Sequence, residues 1–258
     1  MKKKIFVPTM GALHKGHASL IKEGSKIGDV IVSIFVNPTQ FGANEDFDSY
    51  PRRKEDDFAY AISSGAKEVW FPTLDEIYPD GPFISESSGE LGSILEGSFR
   101  PGFFDGVLTV VKKLFQIVEP DVAIFGEKDW QQLVLVKEFS KMFNGPEIMS
   151  VKTKRDNNGL ALSSRNSYLS KDGYSQSLYI PEALLKVKTA WSEGLRDVRT
   201  LEAIGIDFLS EKISKIDYLE VRPSFLLPKL DILNQDARVL VAAWVEGTRL
   251  IDNEELTL

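Results

Sequence analysis

Short apolar segments alternate with helical patterns from the start of the chain to about Ser150. Strands are predicted where hydrophobic residues run together, at Ile5–Val7, Val30–Val36, Lys67–Phe71 and Asp121–Phe125. Helices are predicted where apolar residues recur every three or four positions, at Ser19–Ile27, Glu55–Ser64, Val107–Val118 and Gln131–Phe143. Because alternating strands and helices need crossover connections, this part of the chain is predicted to be α/β, with a doubly wound parallel sheet.

From about Gln176 this alternation gives way to another pattern. Two helices are predicted first and two strands after them, at Pro181–Glu193, Thr200–Lys215, Asp217–Val221 and Ala237–Val245. Polar residues and a glycine cluster over residues 170–175, as is typical of a domain boundary. We therefore predict a large α/β domain over residues 1–172 and a small C-terminal α+β domain over residues 173–258.

The composition excludes several classes of function. The chain has 31 basic and 38 acidic residues, a formal net charge of −7, and no cysteine. It therefore lacks the basic excess that a nucleic-acid backbone requires, and it lacks thiols for disulfides, zinc sites or nucleophiles. The apolar run Ile5–Val7 stops at Pro8, too early for a signal peptide or a membrane span. We predict a cytoplasmic protein that binds neither nucleic acid nor membrane.

Both histidines of the chain lie in the segment PTMGALHKGH, between the first predicted strand and the first predicted helix. A helix start presents unpaired N–H groups that favour an anion, and Gly11 and Gly16 permit a close approach. His14 and His17 are three residues apart, so both can donate to one phosphate group. This pattern favours a phosphate site over two exposed histidines beside a turn, or over a zinc site with few carboxylates nearby.

Three more segments carry polar side chains that suit a ligand. FGEKDWQQL lies at the end of a predicted parallel strand, where ligands bind, and its lysine and aspartate suit phosphate and ribose. GLALSSRN joins two hydroxyls to an arginine, and FVNPTQFG sets an amide beside apolar residues. Each also has a structural interpretation: a solvated turn, a helix cap with a surface arginine, and core aromatics beside a polar loop.

Two catalytic sequence motifs are absent, and their absence limits the reaction mechanisms that fit this chain. The sequence contains no G-x-S-x-G nucleophile elbow and no Walker A motif. A phosphate chemistry without a covalent nucleophile therefore fits better, and it would depend on positioning and charge stabilisation.

Together these segments resemble the pantothenate synthetase (pantoate–β-alanine ligase) family of the HIGH-type nucleotidyltransferase superfamily. The resemblance is carried, in family order, by PTMGALHKGH, SIFVNPTQF, YPRRKEDD, RPGFFDGVLTVV, FGEKDWQQL, GLALSSRN and TRLIDN. It implies a Rossmann-like sheet with a smaller C-terminal α+β domain. It also implies an ATP-dependent ligase that condenses pantoate with β-alanine through a pantoyl adenylate and releases AMP and pyrophosphate.

The resemblance further implies roles for individual residues. His14, His17 and Lys128 would be catalytic, with His17 as the proton donor. ATP would be bound by Met10, Gly11, Ala12, Leu13, His14, Lys15, Gly16, His17, Gly126, Glu127, Lys128, Asp129, Lys154, Leu162, Ser163, Ser164 and Arg165.

The substrate slots implied by the resemblance lie elsewhere in the chain. Gln40 and Gln132 would bind pantoate, while Gln40 and Asn37 would contact β-alanine. Asp56 and Asp57 match an acidic pair of the family, and we assign them no metal or other ligand.

Mg²⁺ would accompany ATP, and the family resemblance implies a homodimer. The stretch Tyr78–Gly102 is a hypothetical lid that would keep water from the adenylate. Trp130 stands where the family usually has tyrosine, and Leu162 where methionine is common. Two other functions stay open: a nucleotidyltransferase acting on a phosphorylated substrate, which would need additional cations, and a nucleotide-binding regulatory module without catalysis.

Overall fold

The structure, a computed structural model, describes residues 2–42 and 45–258. It divides the chain into two compact units, the first ending at Lys154 and the second spanning Arg155–Leu258. No helix within these described ranges is long and apolar enough to cross a membrane.

This division lies earlier in the chain than the predicted boundary between residues 172 and 173. Arg155 forms an isolated β-bridge with Ala161 and donates hydrogen bonds to Asp252, near the end of the chain. The segment that follows Lys154 therefore packs within the second unit, and sequence composition alone does not reveal such long-range pairing.

The first unit contains a five-stranded parallel sheet. Its strands are β1 (Lys3–Thr9), β2 (Gly28–Ile34), β3 (Glu68–Trp70), β4 (Val122–Gly126) and β5 (Glu147–Val151). They lie in the order β3-β2-β1-β4-β5, and Ile5 of β1 pairs with both Val30 and Val122. This order confirms the predicted doubly wound sheet. The hydrophobic pattern does not indicate β5, an edge strand in which no residue is fully buried.

Helices cover both faces of this sheet, and alternate residues of β1 enter different cores. The helices are α1 (Lys15–Ser25), α2 (Lys54–Ser63), α3 (Leu74–Ile77), α4 (Glu96–Phe99), α5 (Phe103–Val118) and α6 (Trp130–Met142). Phe6 packs in the core that includes Leu114, whereas Ile5 and Val7 pack in the core that includes Ile21. Burial on both faces explains the continuous apolar runs of the central strands.

The second unit combines three helices with an antiparallel sheet, as its predicted α+β class requires. Its elements are α7 (Lys171–Ser177), α8 (Tyr179–Ser192), α9 (Val198–Ser210), β6 (Lys215–Pro223), β7 (Ala237–Val245) and β8 (Thr248–Leu256). A tight turn at Glu246-Gly247, with both φ angles positive, joins β7 to β8. The sequence does not indicate β8, because the acidic and amide residues of this strand conceal the alternation of a half-buried strand.

Candidate active site

The strand order creates a crevice at one end of the parallel sheet. β1 and β4 are neighbours, while β2 and β5 lie on their outer sides. Open α/β sheets bind ligands at such a reversal, beyond the carboxyl ends of the strands. Residues 10–14 follow β1 and residues 127–129 follow β4, so two predicted clusters come together there.

Both histidines cap the start of α1. The Nδ1 atom of His14 accepts a hydrogen bond from Gly16 N–H at 3.1 Å, and Nδ1 of His17 accepts from His14 N–H at 3.2 Å. A ring nitrogen that accepts carries no proton, so each neutral ring holds its proton on Nε2. The ring centroids lie 4.2 Å apart. Capping therefore fixes both tautomers and leaves Nε2–H as the donor of each ring.

Burial keeps both rings neutral. It is the largest cause that lowers the pKa of His14 from 6.5 to about 4 and the pKa of His17 from 6.5 to about 3. The charge of Lys128 lowers both values further, His14 lowers that of His17, and Asp129 raises that of His14. At neutral pH these rings offer N–H hydrogen bonds, so His17 is better suited to hydrogen-bond donation than to the predicted proton transfer.

The neutral histidines make a prediction for the pH dependence of stability. Between pH 6.5 and about 4 the histidines are protonated in the unfolded chain but remain neutral in the folded chain. The free energy of unfolding is therefore highest above pH 6.5 and decreases as the pH falls. We expect His14→Asn/His17→Asn to reduce this loss by up to about 1.4 kcal/mol per pH unit for each histidine. Urea unfolding at pH 5 to 7 measures it, and identical pH slopes in both proteins would contradict it.

The turn after β4 supplies the cation of the site. Gly126 ends β4, and the half-buried Lys128 has its Nζ 3.4 Å from Asp129 Oδ1. Glu127 accepts a hydrogen bond from Ser150 at 3.2 Å, which ties the turn to β5. The positive charge of Lys128 lowers the pKa of both histidines, and the turn that carries it follows β4, the neighbour of β1.

Asp57 holds the loop that precedes the histidines, a role that is not predicted from the sequence. Its Oδ2 accepts from Ala12 N–H at 2.9 Å, and its Oδ1 accepts from Leu13 N–H at 2.7 Å. Gly11 has φ +88°, and a Cβ there would lie 3.0 Å from Asp57 Oδ2. The sequence offers one signal: Asp57 lies four residues before the buried Ala61, on the inner side of α2.

A hydrogen-bond network at the end of β2 orients Gln40. Asn37 donates to Gln40 Oε1 at 3.0 Å and accepts from the Tyr78 hydroxyl at 2.8 Å. The Nε2 atom of Gln40 lies 3.0 Å from the sulfur of Met10, in the loop after β1. Asn37 is buried and also donates to Gly106 O. In this geometry Asn37 orients Gln40, and its contact with β-alanine stays a prediction.

Two adjacent glutamines of α6 have different environments. The buried Gln131 accepts from Glu96 N–H at 3.0 Å and donates to the carbonyls of Leu91 and Ile94, each at 2.8 Å. The amide of Gln132 is half-buried and makes no hydrogen bond to any residue in the described ranges. Because a substrate needs an uncommitted amide, this difference supports Gln132 as the ligand of the two.

The hypothetical lid Tyr78–Gly102 is anchored by hydrogen bonds at its centre and near its end. Gln131 holds its centre through the three hydrogen bonds above. Near its end, Arg100 Nε donates to Glu45 at 2.7 Å, and the same guanidinium donates to Gln40 O at 3.3 Å. Anchors at both the centre and the end favour a permanent wall beside Gln40 over a hinged lid.

The remaining predicted ATP ligands lie mostly in the second unit. Leu162 and Ser163 precede a turn over Ser164–Tyr168, and Ser163 Oγ accepts from Arg165 N–H at 3.3 Å. Ser163 therefore caps this turn, as its structural interpretation requires, while its binding of ATP stays a prediction. Lys154 is exposed at the end of the first unit.

A family model described as pantoate–beta-alanine ligase matches residues 1–255. The chain belongs to the pantoate–β-alanine ligase family. Two curated relatives are pantothenate synthetases and are each 46% identical to the chain. The match to the Trichlorobacter lovleyi protein covers 99% of this chain and 91% of the relative, and the match to the Aquifex aeolicus protein covers 96% and 89%.

Solved structures of the pantoate–β-alanine ligase family share this fold. The pantothenate synthetase of Thermus thermophilus has a TM-score of 0.95 and 38% identity, with 100% of this chain and 94% of that chain covered. The Francisella tularensis ligase, complexed with beta-gamma ATP and β-alanine, has a TM-score of 0.82 and 38% identity, with 98% and 89% covered. These matches confirm the predicted fold and family.

Proposed function

We propose that this chain condenses pantoate with β-alanine, using ATP, to form pantothenate, AMP and pyrophosphate. The observation that carries the proposal is the family match over residues 1–255. The strand order supports it, because the segment with the two neutral histidines follows β1 and the turn with Lys128 follows the neighbouring β4, at the sheet edge where open α/β sheets bind ligands.

The reaction has two steps. A carboxylate oxygen of pantoate attacks the α-phosphorus of ATP, the bond from that phosphorus to the bridging oxygen breaks, and pyrophosphate leaves. The amine of β-alanine then attacks the acyl carbon of the pantoyl adenylate, loses a proton and expels AMP. Neither step needs a covalent enzyme nucleophile, so the protein contributes positioning and charge stabilisation.

His14, His17 and Lys128 supply that stabilisation. The two Nε2–H groups donate to phosphate oxygens, and the ammonium group of Lys128 offsets the charge that develops on pyrophosphate. Rings that are already neutral require no deprotonation before ATP binds at pH 7. The rest of the proposed ATP site consists of Met10, Gly11, Ala12, Leu13, Lys15, Gly16, Gly126, Glu127, Asp129, Lys154, Leu162, Ser163, Ser164 and Arg165.

Gln40 and Gln132 form the proposed pantoate slot, and Gln40 with Asn37 the proposed β-alanine contact. Neutral amides suit this task, because a cation paired with the pantoate carboxylate would weaken it as a nucleophile. The anchored segment Tyr78–Gly102 then shields the adenylate from water.

Mg²⁺ accompanies ATP in this proposal. Over residues 2–42 and 45–258, no group of three histidine, aspartate or glutamate side chains is placed to hold a metal ion. Mg²⁺ is usually held by substrate phosphates and water rather than by a protein cage. A homodimer, on the strength of the family resemblance, and a cytoplasmic location complete the proposal.

The test is AMP formation by the purified chain with ATP, Mg²⁺, pantoate and β-alanine. We expect AMP to require pantoate, and pantothenate to appear only when β-alanine is also present. Omission of each substrate in turn is the control. AMP formation that is indifferent to pantoate would reject the proposal, and transfer of AMP to a phosphorylated acceptor would favour the nucleotidyltransferase alternative.

A further inference from the structure

We propose that Asp252, acting through Arg155, is a positioning residue for the loop Leu162–Arg165. The inference rests on the proposed function, in which this loop binds the phosphates of ATP. All of the residues concerned belong to the second unit, and Asp252 is far from the loop in sequence.

Asp252 and Arg155 form a two-point ion pair. Arg155 Nη1 donates to Asp252 Oδ2 at 2.6 Å, and Nη2 donates to Oδ1 at 3.0 Å. The same guanidinium also donates to Asn253 O at 3.1 Å and to Glu254 at 3.3 Å. Asp252 is buried, so its carboxylate is held in one orientation. Two parallel bonds fix the angle of the arginine as well as its position.

The arginine in turn forms the base of the loop. Arg155 Nη1 donates to Gly159 O at 3.1 Å, and the backbone of Arg155 pairs with Ala161. Asn166 donates to Ala161 O at 3.0 Å from the far side of the loop. The segment that carries Ser163 and Arg165 therefore begins at Ala161, which pairs with Arg155, and ends at Asn166, which bonds to Ala161.

Strand β8 provides the fixed frame for this arrangement. It pairs with β7 along its full length, and the turn Ser164–Tyr168 lies against it. A hydroxyl and guanidinium loop gains affinity for phosphate when it is ordered before the ligand arrives, because less conformational entropy is then lost on binding. Asp252 supplies that order from outside the loop, without being placed to bind ATP itself.

The experiment compares Asp252→Asn with Asp217→Asn in the full-length enzyme. Asp217 is half-buried and pairs with Arg249 of β8 at 2.7 Å, but it has no hydrogen bond to the 155–166 segment. We expect Asp252→Asn to raise KM for ATP about tenfold with little change in KM for pantoate. We expect Asp217→Asn to lower the melting temperature comparably and to leave KM for ATP within about twofold.

A second variant covers the case in which Asp252→Asn does not fold. Arg155→Lys keeps the charge but loses the two-point geometry, and it should raise KM for ATP in the same way. Unchanged KM for ATP in a folded Asp252→Asn or Arg155→Lys protein would overturn the inference, as would an equal rise in Asp217→Asn.

Direct titration with ATP separates this inference from the proposed function. Weaker ATP binding by Asp252→Asn supports the positioning role even if AMP formation were found to be independent of pantoate. Equal ATP affinity of Asp252→Asn and the unchanged chain rejects the positioning role while leaving the ligase assignment intact.

Discussion

His17→Asn should lower kcat for pantoate-dependent AMP formation by about 10² to 10³, the effect of removing one transition-state donor. Asparagine places Oδ1 near the position of Nδ1, so it can still accept from His14 N–H and preserve the start of α1. It has no counterpart of Nε2–H. Because that donor acts most strongly on charge that develops during the reaction, kcat should fall more than KM for ATP rises.

The control for this variant is His17→Gln. Glutamine carries an N–H donor near the position of Nε2 but has no acceptor at the position of Nδ1. It therefore keeps the donor that asparagine loses and loses the helix-capping acceptor that asparagine keeps. We expect His17→Gln to retain more turnover and to unfold more readily than His17→Asn. A His17→Asn enzyme with unchanged kcat would show that Nε2–H takes no part in catalysis.

Much of the fold could be predicted because the central strands are buried on both faces. Their apolar runs are plain in the sequence, and the helices between them imply parallel connections. β5 and β8 were missed for the opposite reason. β5 lies at the sheet edge, and β8 carries buried polar residues such as Asp252 and Asn253, which bond within the second unit. A strand whose buried positions are polar residues with hydrogen-bond partners lacks the apolar alternation by which strands are predicted.

The candidate site was predictable where topology governs it. Strand ends in a parallel sheet meet at one edge, so the histidine segment and the turn after β4 had to approach each other once the strand order was known. The different environments of Gln131 and Gln132 were not predictable from the sequence. Adjacent residues of α6 point in different directions, and only the fold shows that the Gln131 amide bonds to the backbone of the Tyr78–Gly102 segment. The family resemblance, rather than the pattern, pointed to Gln132.

The role of Asp57 was also not predictable, because the sequence does not show which acidic side chain of α2 faces the loop after β1. In the sequence it is one of three consecutive acidic residues at the start of α2, where acids are common because they oppose the helix dipole. Only the fold turns Asp57 inward to the loop after β1 and leaves Asp56 exposed. Its two hydrogen bonds set the path of the backbone into His14. The placement of His14 in turn fixes both ring tautomers, because its N–H donates to His17 and its own ring accepts from Gly16.

Asp57→Asn should therefore lower kcat/KM for ATP by about 10², because a loop shift of about 1 Å at the histidines is enough for such a loss. Asparagine keeps only one of the two oxygens that accept from Ala12 N–H and Leu13 N–H, so one part-buried N–H faces an N–H donor, and stability should fall by about 1.5 to 3 kcal/mol. Asp56→Asn is the matched control, with the same charge change on the same helix turn, and should stay within about 0.5 kcal/mol with normal kinetics. Steady-state kinetics and urea unfolding of both variants decide it. A loss of stability in Asp57→Asn with unchanged kcat/KM would restrict Asp57 to folding, because a loop that keeps its path keeps the Nε2–H donors in place.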